Sequence, residues 1–111
     1  MCSNDRILIV DDNDMNRKMT SRLLGKLDLP WDEASDGLAA LDKVAQEEYA
    51  LILMDYRMPE PDGVETLHLL RADQDNKNLE TPVIVLTANA VGGVEEQYLE
   101  EGFDGYLSKP I

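Results

Sequence analysis

Thiols are almost missing from this sequence. One cysteine, Cys2, stands in 111 residues, which excludes an internal disulfide and any zinc site built on cysteines. No apolar run comes near the roughly 20 residues that span a bilayer. No basic start leads into an apolar stretch, so no secretory signal is visible. The chain therefore reads as intracellular, with a cytoplasmic location expected. Positive charge is also scarce. Lys and Arg number 10 against 23 Asp and Glu, a net charge of -13. That field repels phosphate backbones and anionic lipid, which argues against direct nucleic-acid or membrane binding, and it favours cations. Acidic surfaces also simply keep proteins soluble, and net charge alone does not separate the two readings. Repeats, linkers and low-complexity tracts are absent. What remains is 43% hydrophobic and 30% charged, a globular composition in a length that suits one domain.

Short apolar runs alternate with helical spacing. Ile7 to Val10 reads as a buried strand ending at Asp11-Asp12. Met15, Met19, Leu23 and Leu27 recur every four residues, one face of a first helix that Pro30 stops. On that spacing, Met15 and Met19 are expected in the core. Trp31 to Ala34 is a weak second strand, and Ser35-Asp36-Gly37 a turn. Leu38, Leu41, Val44 and Ala45 predict the apolar stripe of a second helix. Leu51 to Met54 is a third strand ending at Asp55, followed by a Pro-rich loop through Met58, Pro59, Pro61, Asp62 and Gly63. Val64, Leu67 and Leu70 mark a third helix. The polar stretch 73–81 reads as an exposed loop. Pro82 opens the fourth strand, Val83 to Leu86, which ends at Thr87. A fourth helix is predicted from Val94 to Glu101, capped by Gly102, and Tyr106-Leu107 as a short fifth strand. Strand, helix, strand, repeated, means right-handed crossovers and a mostly parallel sheet. The fold class is α/β, doubly wound.

In open α/β sheets, ligands bind beyond the carboxyl ends of the strands. Those ends deliver Asp11 and Asp12, Asp55, Thr87 and Lys109. Crowded carboxylates repel unless a cation joins them. Oxygen ligands without a dedicated cage favour Mg²⁺, which bridges to a phosphoryl group. A carboxylate held there can attack phosphorus and form an acyl phosphate. Mg²⁺, the Lys109 ammonium and the Thr87 hydroxyl would each stabilise the transferred charge. Each residue alone has a bland reading. Asp11-Asp12 is also a helix cap, Asp55 a turn residue, Thr87 a strand-end hydroxyl and Lys109 a solvated surface cation. Four bland coincidences at four strand ends are improbable together.

Val10-Asp11-Asp12-Asn13, Leu53-Met54-Asp55 with Met58-Pro59 and Asp62-Gly63, Thr87-Ala88 and Lys109-Pro110 together resemble the receiver domain of two-component response regulators. The resemblance runs over nearly the whole chain, 1–111 being read as one receiver. The opening Val10 to Arg17 also resembles receivers of hybrid histidine kinases. It implies a flavodoxin-like five-stranded parallel sheet in the order 2-1-3-4-5. It implies Asp55 as phosphoacceptor, and Asp12, Asp55 and the Arg57 carbonyl as direct Mg²⁺ ligands, with Asp11 acting through water. Lys109 and Thr87 would contact the phosphoryl group. Tyr106 would be the aromatic switch, although a plain core or rim aromatic is the alternative. The Lys109-Pro110 bond would be cis. The donor would be a phosphohistidine on a histidine kinase or phosphotransfer domain, the output an effector or a homodimer, and the later dephosphorylation self-catalysed.

Some features depart from the family. Pro61 stands where many receivers carry a hydrophobic residue, and two nearby prolines stiffen that loop. Arg57 and Asn89 occupy positions that tune the lifetime of the aspartyl phosphate. Family members continue past Lys-Pro into a fifth helix, whereas this sequence stops at Ile111. On that reading the chain is truncated after the fifth strand, and apolar side chains of strands one, four and five are expected to lie exposed. Two rivals stand beside the receiver. A Mg²⁺-dependent phosphatase with an aspartate nucleophile usually carries a second acid just after it, where this chain has Tyr56 and Arg57. An interaction module without the switch would have no use for Asp12, Asp55, Thr87 and Lys109. His68 reads as an ordinary helix residue.

Overall fold

Strands that are apolar along their whole length need cover on both faces, which places them inside a parallel sheet. The computed structural model, which describes residues 6–59, 61–72, 78, 81–87 and 94–108, bears this out. Its elements are β1 (Ile7–Val10), α1 (Asp14–Lys26), β2 (Trp31–Ala34), α2 (Gly37–Gln46), β3 (Leu51–Asp55), α3 (Gly63–Ala72), β4 (Val83–Thr87), α4 (Val94–Glu101) and β5 (Gly105–Ser108). All strand pairs are parallel, in the order β2-β1-β3-β4-β5. This is the expected flavodoxin-like, doubly wound α/β fold, with the order reversing beside β1.

Alternation along the strands divides the interior in two. Leu8, Val10, Ile52, Met54, Val83 and Val85 pack with Ala40 and Val44 of α2, Leu67 and Leu70 of α3, and Tyr98 of α4. Ile7, Ile9, Leu53 and Leu86 pack with Leu24 of α1 on the opposite face. Each Val, Leu, Ile or Met side chain among them, fully buried, contributes roughly 1.5–3 kcal/mol.

Local chemistry fixes the helix ends. Asn13 caps α1 by accepting from the Asn16 amide at 3.0 Å, and Asp36 caps α2 by accepting from the Ala39 amide at 2.7 Å. Asp62 and Glu65 form a reciprocal capping box at α3, with bonds of 2.9 and 3.2 Å. As expected, Gly102 ends α4 at φ +113, with the Phe103 amide donating to the Tyr98 carbonyl at 3.1 Å.

Several expectations need correcting. The α1 stripe faces mostly outward: Met15 is 71% exposed, Leu23 and Leu27 are exposed too, and Met19 is only partly buried. The inward residues are Thr20, Ser21 and Leu24. The two hydroxyls can be buried because each donates to a helix carbonyl, of Asn16 and Lys18 respectively. In α2 the inward residues are Gly37, Ala40 and Val44, while Leu38 and Ala45 face solvent. A Cβ on Gly37 would lie 2.7 Å from Pro61 Cγ, so α2 passes too close to the loop before α3 for anything larger. The loop 73–81 is not uniformly exposed. Asn78 and Thr81 are buried, and the residues between 72 and 81 other than Asn78 lie outside the described ones. Apolar side chains of strands one and four, expected to lie exposed, are instead covered on the α1 side, Ile9 and Leu86 among them, whereas Leu107 on β5 is exposed. Trp31 begins β2, at the end of the sheet opposite the strand carboxyl ends.

Candidate functional site

Strand register assembles the acidic cluster. Val10 pairs with Met54, so Asp11 and Asp55 leave the sheet side by side. Carboxylate oxygens of Asp11, Asp12 and Asp55 all lie within 4.8 Å of one another. Asp11 and Asp55 are buried at 0% and 4% exposure, while Asp12 is exposed. Asp11 accepts from the Asn13 amide at 2.9 Å, so the same turn that caps α1 also orients this carboxylate. Arg17 secures the turn from α1 by donating to the Asp11 carbonyl at 2.8 Å. Burial works against its charge, but its bonds to Asp14 and Glu33 outweigh that and raise its pKa.

The loop after β3 folds back over Asp55. The Arg57 amide reaches the Asp55 carboxylate at 3.4 Å, a long contact, and the Arg57 side chain is exposed. Gly63 opens α3 directly above. A Cβ there would stand 2.4 Å from the Asp55 carbonyl oxygen and 3.1 Å from Tyr56 Cα. Backbone cannot step aside as a flexible side chain does. Gly63→Ala is therefore expected to cost about 1–3 kcal/mol in urea unfolding, and an unchanged midpoint would mean that α3 shifts freely.

Thr87 ends β4, buried, and its Oγ1 lies 2.9 Å from the Tyr98 hydroxyl on α4. Tyr106 pairs with Val85 across β4 and β5 and is half-buried, its ring centroid 6.1 Å from that of Tyr98. Tyr56 stands edge-on to Tyr98 at 5.0 Å. Its hydroxyl donates to Glu101 at 3.2 Å and accepts from Gln97 at 3.3 Å. Burial first, and then the Glu101 charge, raise the Tyr56 pKa. The structure thus joins Asp11, Asp12 and Asp55 in one cluster and sets Thr87 and Tyr106 beside α4. Lys109, its bond to Pro110, and Asn89 lie outside the described residues. His68 is exposed on α3, its Nε2 3.0 Å from the Glu101 carbonyl, as suits an ordinary helix residue. Sequence reasoning missed Tyr98. Its place four residues after Val94 marks a helix face, but nothing along the chain ties it to Thr87.

The sequence profile of the response regulator receiver domain matches residues 7–111. The chain belongs to the response-regulator receiver family. Receivers are the regulatory phosphoacceptor domains of two-component phosphorelay signalling. This receiver is 39% identical over 108 residues to hybrid signal transduction histidine kinase G of Dictyostelium discoideum, covering 96% of the chain but 3% of that protein. It is 36% identical over 105 residues to the polar-differentiation response regulator DivK of Brucella ovis, covering 95% of the chain and 84% of DivK. Among solved structures, the receiver domain of sensor histidine kinase PA1611 from Pseudomonas aeruginosa superposes with a TM-score of 0.83 at 36% identity. That match covers 98% of the chain and 88% of the PA1611 domain, which carries a magnesium ion coordinated in its active-site cleft. Among the described residues no helix is long and apolar enough to cross a membrane.

Proposed function

We propose that this receiver takes a phosphoryl group from a phosphohistidine onto Asp55 and later releases it by its own catalysis. The observation that carries the reading is the convergence of Asp11, Asp12 and Asp55 within 4.8 Å at the carboxyl edge of the sheet. An all-oxygen donor set suits a hard divalent cation. Asp12, Asp55 and the Arg57 carbonyl would hold Mg²⁺, with Asp11 acting through water, and the magnesium in the PA1611 receiver supports that choice. When bound, the ion supplies charge neutralisation for the phosphoryl oxygens and orients the donor.

A carboxylate oxygen of Asp55 attacks phosphorus in line. The P–N bond of the donor breaks, its electron pair leaves with the imidazole, and an acyl phosphate remains on Asp55. Lys109 pairs with the phosphoryl oxygens, and the Thr87 hydroxyl donates to one of them. As Thr87 moves, Tyr106 turns inward and changes the surface around α4 and β5. The new charge shifts a two-state balance by its differential contacts, typically worth about 1–3 kcal/mol. Hydrolysis follows when water attacks the same phosphorus, which restores the Asp55 carboxylate and frees inorganic phosphate. The partners are a histidine kinase or histidine phosphotransfer domain upstream, and an effector or a second copy downstream.

Acetyl phosphate with Mg²⁺ tests the reading directly. The intact mass should rise by one phosphoryl group, fall back once the donor is removed, and stay constant in EDTA. Labelling that ignores EDTA would remove the metal from the mechanism.

A further inference from the structure

We infer that the Tyr98 hydroxyl is a latch that holds Thr87 in the unphosphorylated arrangement, making Tyr98 a positioning residue for the switch. The inference rests on the proposed contact between Thr87 and the phosphoryl group.

Strand alternation sets the geometry. Asp55 follows Leu53 onto the α1 side of the sheet, where Leu53 packs with Ile9 and Leu24. Thr87 follows Val83 and Val85 onto the other side, where they pack with Tyr98 and Phe103. The Thr87 hydroxyl is therefore turned toward α4, at 2.9 Å from the Tyr98 hydroxyl. Both residues are buried, at 4% and 3% exposure, so this bond forms where water competes little. Reaching a phosphoryl group on Asp55 takes the Thr87 oxygen away from α4 and breaks that bond. An interaction present in one of two states shifts their balance toward it.

Packing makes the latch specific. The Tyr98 ring is clamped by Tyr56 at 5.0 Å and lies 6.1 Å from Tyr106. One aromatic side chain on α4 thus touches the residue expected to contact the phosphoryl group and neighbours the residue expected to turn inward. Removing only its hydroxyl leaves the rings in place and deletes the bond to Thr87.

Tyr98→Phe in the full chain is the test. Beryllofluoride with Mg²⁺, a phosphoryl mimic, reads the balance without turnover, and labelling by acetyl phosphate reads it through chemistry. Tyr98→Phe should bind beryllofluoride about two- to tenfold more tightly and label faster by a similar factor, the worth of one ordinary hydrogen bond. The gain should vanish in a Thr87→Ala background, which a merely structural role for Tyr98 would not produce. If Tyr98→Phe leaves affinity and rate unchanged or lowers them while Thr87→Ala weakens both, the latch is overturned and the role of Thr87 survives. If Thr87→Ala changes neither, the latch falls together with the reading beneath it.

Discussion

Asp55→Asn is expected to reduce labelling by acetyl phosphate and Mg²⁺ to the level of the EDTA blank, and to raise stability when divalent ions are absent. The two effects have one origin. The amide oxygen that replaces the carboxylate carries no full negative charge, so it is a poor nucleophile and a weaker Mg²⁺ ligand. It also no longer repels Asp11 and Asp12, whose oxygens lie within 4.8 Å. Like charges at that separation repel by about 1 to 3 kcal/mol, depending on how well water screens them. Urea unfolding in EDTA should show a gain of that order, and adding Mg²⁺ should stabilise the parent more than the variant. Persistent labelling would move the acceptor elsewhere. Lower stability in EDTA would mean that the Asp55 carboxylate serves structure more than it strains it.

The second large effect lies at the opposite edge of the sheet. Asn78 is fully buried and satisfies four neighbours. Its Nδ2 donates to the carbonyls of Val44 and Glu47 at 2.8 and 2.7 Å. Its Oδ1 accepts from the Tyr49 amide at 2.7 Å and the Thr81 hydroxyl at 3.0 Å. The residue thus ties the end of α2 to the chain entering β3 and β4. Asn78→Ala strands several buried polar groups and should cost roughly 3 kcal/mol or more, since each such group costs about 1–3 kcal/mol. That is a large share of a typical domain's stability of about 5–15 kcal/mol. Asn78→Asp keeps the shape but aims an acceptor at two carbonyls. It should cost at least as much, and more at neutral pH than at pH 4. A cost seen only in Asn78→Ala would make the role one of packing, with the hydrogen bonds incidental.

Asn78 also marks where sequence reasoning lost its grip. A polar run between helix and strand reads as solvated, and one amide side chain serving as a buried bracket leaves no periodic trace. The strands were legible because those buried on both faces carry nothing but apolar side chains, so Ile7 to Val10 and Val83 to Leu86 announce themselves. The acidic cluster was legible because parallel strands deliver their carboxyl ends to one edge, whatever the side-chain details. The inward face of α1 was not, and that of α2 only in part, through Val44 and Leu41. The two faces use Thr20, Ser21, Gly37 and Ala40, small or self-satisfied residues that let the helices approach closely. Larger apolar groups such as Met15 and Leu38 are left outside. The bond between Thr87 and Tyr98 was out of reach because it depends on how α4 sits over β4, which no local pattern encodes.

Trp31, the sole indole, carries a practical consequence. It sits at the amino end of β2, its ring nitrogen donating to Glu33 at 3.0 Å, a strand's length from the carboxylates. Its emission should follow the collapse of the whole domain and stay silent during cation titrations. One fluorimeter trace can therefore weigh every variant above, with or without magnesium, uncontaminated by events at the far rim.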